Sequence, residues 1–286
     1  MRKKQIGNIL LFLCLIIVLL VTLLILLPEK RNQKKDIILK DKYVEPIATP
    51  ENTGKPRKSK QKEERFLGKL AIVFDDVGYN LKEIEPFLQF PHALSFAILP
   101  QLPYSMQAAK LIKQAGKEIL LHQPMEAVGK NETGPGTIYT NLSYPEIEEI
   151  LRINLSTVPG AIGINNHMGS KITANEEVMS MIMYFLYMEG LFFLDSKTTA
   201  NSICTSVAKK MGIQFARRDI FLDIHLDKDI IRKQIIKGID IAYKNGSAIL
   251  IGHIQNNMVL DVLYDMLPII RNKKLKIVGV SDIIEE

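Results

Sequence analysis

The sequence contains no tryptophan and only two cysteines among its 286 residues. Cys14 and Cys204 are too few for a disulfide framework, and their spacing does not match a cysteine zinc cluster. Cys14 lies in an apolar run, and Cys204 falls in a predicted helix. We therefore expect both thiols to be buried or lipid-facing, without a chemical role.

Basic side chains are not in excess over most of the chain, although the whole sequence has a formal net charge of +6. Residues 1–65 hold 15 of the 37 basic and 7 of the 31 acidic side chains. Residues 66–286 hold the other 22 basic and 24 acidic side chains, a slight negative excess. Because phosphate recognition needs a basic face on the folded part, this distribution argues against a nucleic-acid-binding domain.

A long hydrophobic run extends from Ile9 to Leu27. As a helix it would be about 28 Å long, close to the thickness of a bilayer's hydrocarbon core. No small-residue cleavage pattern follows it, so we expect an uncleaved signal anchor over residues 1–28 that crosses the membrane once. Basic residues flank both ends, so charge alone does not decide orientation. A short N-terminus before a long domain favours an extracytoplasmic domain.

Residues 29–66 are charged and polar and contain Pro46, Pro50 and Pro56. This composition is typical of a flexible tether. The alternative is a basic patch that touches anionic lipid headgroups or an anionic wall polymer. The remaining residues, 67–286, are long enough to form one domain with a sizeable core.

From Lys69 onward, short β-branched runs alternate with amphipathic stretches. Two helices show capping signals, Ser143 with Glu146 and Thr173 with Glu176, and a third is predicted over 229–245, before Gly246. Such alternation is typical of parallel strands with crossover helices, and seven or eight units favour a (β/α) barrel over an open sheet. The predicted strands are 69–74, 94–99, 118–121, 161–164, 191–194, 213–216, 248–251 and 276–280.

Polar residues follow the predicted strands at their carboxyl ends. In a barrel these ends meet on one face, where catalytic groups from separate strands come together. The residues are Asp75, Asp76, His122, Asn165, Asn166, His167, Asp195, Ser196, Arg217, Arg218, Asp219 and His253.

Carboxylate and imidazole groups on one face match a bound divalent metal. A catalytic zinc usually has three protein ligands and one water, whose pKa it lowers to about 7. Of Asp75 and Asp76, one is then expected to bind the metal while the other accepts a proton. An aspartate pair alone is more typical of a helix cap or turn, and the three histidines His122, His167 and His253 favour the metal site.

These residues lie in stretches that resemble a known family. LAIVFDDVGYN, LSFAILP, EILLHQPMEA, GINNHMGS, FLDSKTT, RDIFLD and AILIGH look like the divergent polysaccharide deacetylase family, the YibQ-like relatives of the NodB-homology carbohydrate esterases. The resemblance spans about residues 68–284. It implies a distorted (β/α) barrel of the glycoside hydrolase and deacetylase type. It also implies metal-dependent removal of acetyl groups from an amino-sugar polysaccharide, such as peptidoglycan or another envelope glycan.

Two motifs carry the implied metal site. FDDVG resembles the deacetylase FDDG motif, which makes Asp75 the general base and Asp76 a metal ligand. GKEILLHQPME resembles a segment with two metal-binding histidines four residues apart. Here His122 takes the first position and Glu126 stands at the second, so the third ligand is either His167, which we prefer, or Glu126. Zinc is the expected metal, with manganese, cobalt and nickel as alternatives.

The remaining implied roles concern acid catalysis and substrate. His253 in AILIGH resembles the histidine that supplies the general acid, and Asp195 is expected to orient or charge-balance a catalytic histidine. The NodB relatives have an arginine where this chain has asparagines. The residues expected to contact substrate are Asn165, Asn166, Arg217 and Asp219.

Two other functions are compatible with the sequence. The missing second histidine allows an inactive barrel that serves as an envelope polysaccharide-binding or scaffolding protein. A glycoside hydrolase using Asp75 and Glu126 would instead keep its activity in chelators.

The surroundings of the site leave further alternatives open. Residues 131–141 form a Gly- and Pro-containing segment that is either a rim or lid over the site or a plain connector. Sugar-stacking candidates are limited to Tyr79, Tyr104 and Tyr139, so a broad aromatic platform is not expected.

Overall fold

The computed structural model describes residues 66–129 and 132–284. The signal anchor predicted over residues 1–28 lies outside this part of the chain, as does all but the last residue of the predicted tether. Among the described residues, no helix is both long and apolar enough to cross a membrane.

Within the described residues, nine strands and seven α-helices alternate along the chain. The strands are β1 (Gly68–Val77), β2 (Ser95–Ile98), β3 (Glu118–Met125), β4 (Gly163–Met168), β5 (Phe192–Asp195), β6 (Phe215–Arg217), β7 (Ile220–Phe221), β8 (Ser247–His253) and β9 (Leu275–Val278). The helices are α1 (Glu85–Leu88), α2 (Ser105–Gln114), α3 (Tyr144–Thr157), α4 (Glu176–Glu189), α5 (Cys204–Met211), α6 (Lys228–Asn245) and α7 (Asn257–Asn272), and 3-10 turns cover Ile172–Ala174 and Val280–Ile283.

Local sequence signals explain where several helices begin and end. The predicted capping box at Ser143 and Glu146 is present and opens α3. Helix α4 begins one residue after Asn175, whose side chain accepts a hydrogen bond from Val178 N, so Asn175 takes the capping role predicted for Thr173. Gly246, with a φ of 87°, ends α6 in the left-handed conformation that glycine adopts without strain.

The strands form one parallel sheet in the order β6-β5-β4-β3-β2-β1-β8-β7. Strand β1 is central and pairs with β8 over Lys69–Asp75 on one side. On its other side β1 pairs first with β9, through Gly68–Ala71, and then with β2 from Val73 onward.

The sheet curls so that its two end strands follow each other in the chain. Only Arg218 and Asp219 separate β6 from β7. No ladder joins β6 to β7 within the described residues, so the predicted distorted barrel takes the form of a curled parallel α/β half-barrel. The physical reason is length, because β6 has three residues and β7 only two.

Alternating side chains divide the core into two layers. Leu70, Ile72 and Phe74 of β1 belong to the large layer that also contains the helix side chains, for example Ile235 of α6. Ala71 and Val73 belong to a second layer, made mostly of strand residues, which fills the inside of the curl. This alternation decides which polar residues at the strand ends reach the interior of the curl.

Candidate functional site

Asp76, His122 and His167 each place one potential metal-binding atom at a common point. Asp76 Oδ1 lies 3.2 Å from His122 Nε2 and 3.1 Å from His167 Nδ1. The two histidine nitrogens are 3.2 Å apart. Ligand atoms around a tetrahedral zinc are separated by about 3.3 Å when the metal–ligand bonds are about 2.0 Å. The triangle therefore fits one metal ion.

The alternation of side chains along the strands brings these groups together. On β1, Asp75 follows Ala71 and Val73 on the face that points into the curl. On β3, His122 stands two residues after Leu120, which belongs to the same inner layer. Both Asp75 and His122 are buried as a result.

Asp76 reaches the same point because the strand is distorted there. Its φ is 63°, and the register of β1 with β2 shifts between Phe74 and Val77. Two consecutive aspartates can thus both face the site. Asp76 Oδ1 is buried and accepts no well-aligned hydrogen bond from the described residues. An orphaned buried acceptor is costly, and a bound cation would relieve that cost.

Burial tends to raise the pKa of Asp76, but the nearby imidazoles of His122 and His167 outweigh it and lower the pKa below the usual range. For Asp75 burial dominates and raises the pKa, with His122 acting in the opposite direction. The two adjacent carboxyl groups are therefore driven apart in acidity, as expected for two different roles.

Asn165 connects His122 to Asp75. Its Oδ1 lies 2.8 Å from His122 Nδ1, and its Nδ2 donates to Asp75 Oδ1 at 2.8 Å and to Ser196 Oγ at 3.2 Å. Because an amide oxygen only accepts, His122 Nδ1 carries the proton and Nε2 keeps its lone pair for a metal.

The side chain of Asn166 lies on the face of β4 opposite to that of Asn165. Its Nδ2 donates to Met168 O at 2.7 Å, and its Oδ1 accepts from Ser196 N at 2.8 Å. Both asparagines are buried and engaged within the protein, whereas the sequence had assigned them to substrate.

His253 lies across the site on β8, in register with Asp75 on β1. Its Nδ1 is 3.0 Å from Asp223 Oδ1, and its backbone N donates to Asp223 Oδ2 at 2.8 Å. The hydrogen bond that His253 Nδ1 donates to the Asp223 carboxylate is the main cause that raises the pKa of His253 to about 9. Sequence reasoning missed Asp223, although the residue stands two positions after Phe221 on the inward face of the β7 segment.

Asp195 lies away from His253. Its Oδ1 accepts from Lys197 N at 2.7 Å, and its Oδ2 accepts from Ser202 Oγ at 2.6 Å. The carboxylate that contacts His253 is instead that of Asp223.

Among the residues after β6, Arg218 turns toward the site side. It donates from Nε to Ser196 O at 2.7 Å, and its guanidinium carbon lies 3.7 Å from the centre of the Phe221 ring. Phe221 in turn stacks on the His253 ring, with 5.9 Å between centroids. Arg217 and Asp219 line a separate cavity of about 280 Å³, which none of the three metal-site residues lines.

Glu126, the competing third ligand, is held elsewhere. Its carboxylate accepts from Thr140 N and Oγ1 and pairs with Lys171, and these partners lower its pKa to about 2 although burial opposes them. Glu126 is not part of the three-residue cluster.

The segment after β3, residues 132–141 and hereafter the rim loop, is fixed in place. Gly136 O accepts hydrogen bonds from Gln123 Nε2 and Asn154 Nδ2, both at 2.8 Å. Ile138 is fully buried and bridges to Met125. Tyr139 on this loop is exposed, as are Tyr79 and Tyr104. The rim loop is thus packed against the domain along its described length.

Comparison with known proteins identifies relatives of the chain. Residues 72–284 match the family model described as divergent polysaccharide deacetylase. The uncharacterized protein YibQ of Escherichia coli K12 is 41% identical over 188 residues, 66% of this chain and 59% of that protein. An uncharacterized protein of Haemophilus influenzae Rd is 38% identical over 191 residues, 67% of this chain and 68% of that protein. The match thus spans about three fifths of the Escherichia coli relative.

The fold also has a solved counterpart. The crystal structure of an uncharacterized protein from Agrobacterium tumefaciens C58 superposes with a TM-score of 0.72 at 21% identity. The superposition covers 76% of this chain and 89% of that chain. At this level of identity the likeness concerns the fold alone.

Proposed function

We propose, because this chain belongs to the divergent polysaccharide deacetylase family, that it is a metal-dependent hydrolase that removes acetyl groups from an amino-sugar polysaccharide. The observation that carries the proposal is the triangle of Asp76, His122 and His167 with its orphaned buried carboxylate oxygen. A carboxylate and two imidazoles form a donor set that suits zinc and related divalent metals. The buried Asp75 and the partly exposed His253 beside the triangle supply the rest of the chemistry.

A metal held by Asp76, His122 and His167 would supply an acidified water and polarise the acetyl carbonyl. Asp75, held by Asn165, accepts the proton of the attacking water. Its raised pKa makes it a stronger base than an exposed aspartate.

His253 donates a proton to the departing nitrogen or oxygen. Its hydrogen bond to Asp223 fixes the ring and keeps it protonated at neutral pH, because the pKa is raised to about 9. The buried base and the partly exposed acid stand on the neighbouring strands β1 and β8, where Asp75 and His253 are register partners.

The substrate we propose is peptidoglycan or another acetylated glycan of the cell envelope. The hydrophobic run from Ile9 to Leu27 supports an anchor that holds the domain at the outer face of a membrane. The exposed rings of Tyr79 and Tyr139 are available to stack on sugar rings.

The deciding experiment combines metal analysis with acetate release from an N-acetylated glycan, using the full chain. His122→Ala should lose both stoichiometric zinc and activity. His92→Ala is the matched control, because His92 lies before β2 at the opposite end of the strands and should keep both. Full zinc occupancy in His122→Ala would refute the ligand assignment.

The same measurements separate the second candidate function. A chain that binds the glycan but releases no acetate from any acetylated glycan, with or without added zinc, is a polysaccharide-binding or scaffolding protein. In that case His253→Ala would leave glycan binding unchanged.

A further inference from the structure

Glu126 joins three segments at the edge of the site. Its Oε2 accepts from Thr140 N at 2.8 Å and from Thr140 Oγ1 at 2.7 Å, while its Oε1 lies 2.5 Å from Lys171 Nζ. The main chain adds to these contacts, since Glu126 N donates to Ile138 O at 2.9 Å and Glu126 O accepts from Lys171 N at 3.2 Å. Glu126 thus ties the end of β3 to the rim loop and to the turn that follows β4.

That turn, residues 168–172, begins directly after His167. Met168 and Gly169 both adopt left-handed backbone conformations, with φ values of 54° and 83°. A Cβ atom on Gly169 would lie 2.9 Å from Met125 Cβ, so the turn packs closely against the end of β3. Its start is held at Met168 O, which accepts hydrogen bonds from Asn166 Nδ2 and Thr198 Oγ1, and its later part is tied to the end of β3 by the Glu126–Lys171 pair and by Val128 N, which donates to Ser170 Oγ.

The His167 ring has less side-chain support than the His122 ring. The His122 side chain is 3% exposed and its ring is held by Asn165, whereas the His167 side chain is 18% exposed. Within the described residues, the polar contacts of the His167 ring are to His122 Nε2 and Asp76 Oδ1, the other two metal-binding atoms. No further polar side-chain contact of the His167 ring is present among the described residues, so the orientation of the ring depends on the backbone at His167 and in the turn that follows it.

We infer that Glu126, acting through Lys171, is a positioning residue that holds His167 for metal binding. This inference rests on the proposed function, because it assumes that the triangle binds a metal. The side chains of Glu126 and Lys171 are 23% and 46% exposed, and ion pairs of that exposure contribute little to global stability. The pair should therefore affect metal affinity more than global stability.

The test measures the zinc dissociation constant of the full chain by competition with a chromophoric chelator. Lys171→Met, which removes the ion pair, should weaken zinc binding by about 2- to 5-fold, because an exposed ion pair biases the position of the turn only modestly. Lys171→Arg keeps a cation opposite Glu126 and should bind zinc as the parent chain does. Lys228→Met is the matched control, since it breaks the exposed Lys228–Asp261 pair of 2.7 Å on the outer helices.

Urea unfolding of the apo proteins should give similar midpoints for Lys171→Met and Lys228→Met. The inference is overturned if Lys171→Met binds zinc as tightly as the parent chain, or if Lys228→Met loses the same affinity. The proposed function survives either result, because the parent chain still binds zinc. Absence of zinc binding in the parent chain would overturn both.

Discussion

Asp223 and His253 illustrate how much one hydrogen bond determines at this site. The imidazole is partly exposed, yet its contact with Asp223 keeps it positively charged to a pH of about 9. A group with a raised pKa holds its proton below that pKa and loses it as the pH rises through it. Acid catalysis by His253 should therefore persist through neutral pH and fail on the alkaline side.

Activity is expected to fall above about pH 9, and Asp223→Asn should move this alkaline limb toward the ordinary histidine pKa of about 6.5. The amide also donates toward Nδ1 and so favours the wrong tautomer, which should lower kcat at every pH. The measurement is the pH profile of kcat, with zinc content checked. Asp219→Asn, whose carboxylate binds Ile249 N, is the control and should leave the profile unchanged. An alkaline limb that stays in place in Asp223→Asn would contradict the role of Asp223.

Side-chain alternation explains which site predictions the structure gathers at one point. Asp75, His122, Asn165, His167 and His253 share the inward parity of their strands and lie together. Asp195 and Arg217 are each one position out of phase, and their side chains lie elsewhere. The same rule would have selected Arg218 and Asp223 from the sequence. Asp76 could not be predicted this way, because its left-handed φ of 63° breaks the alternation.

At the scale of elements, hydrogen bonds and close packing hold the glycine-rich rim loop against the domain. Gly136 fits because its missing side chain leaves room for a buried amide network. A Cβ there would lie 2.2 Å from Asn154 Oδ1 and 2.7 Å from Gln101 Nε2. The sequence alone did not decide whether this segment is a rim or lid or a plain connector. The reason is that the loop is held by polar residues of three separate segments, Gln101, Gln123 and Asn154.

Gly136→Ala should lower the free energy of unfolding by about 1–3 kcal/mol more than Gly134→Ala does, because overpacking adds to the backbone strain. Both glycines have a positive φ, 69° and 94°, and a Cβ on Gly134 meets nothing within 4 Å. The pair therefore separates the steric clash from the cost of the left-handed backbone. Urea unfolding of the two variants measures the difference. Equal destabilisation would show that the amide network yields to the added methyl group.

The helices and the succession of strands along the chain were largely predictable because their sequence signals are local. Ser143 and Gly246 mark helix ends through their own chemistry. The seam between β6 and β7 was not predictable, because it depends on how far a strand of two or three residues can extend its ladder. The predicted distorted barrel is open at this seam for that reason.

At the scale of the whole molecule, the triangle of Asp76, His122 and His167 draws on β1, β3 and β4 and should couple metal binding to folding. A ligand that binds only the folded state adds about 4 kcal/mol when its free concentration is about 1,000 times its Kd. Adding EDTA to the zinc-loaded chain should therefore lower its Tm, and excess zinc should restore it. His122→Ala is the control, whose Tm should not respond to either. A Tm of the parent chain that is indifferent to EDTA would contradict a structural coupling of the metal.

The pairing of β1 with β8 and β9 has a consequence for the order in which the domain can be assembled. The register matches Lys69 with Ser247 and Gly68 with Leu275, so the central strand pairs with strands that are synthesised long after it. During synthesis one edge of β1 stays open while the rest of the chain emerges, and such edges invite association with other chains. Loop closure over so many residues is slow, so the domain should complete its folding only after β8 and β9 have been synthesised. The base on β1 meets its acid on β8 at that same late moment, and a nascent chain carries no complete site.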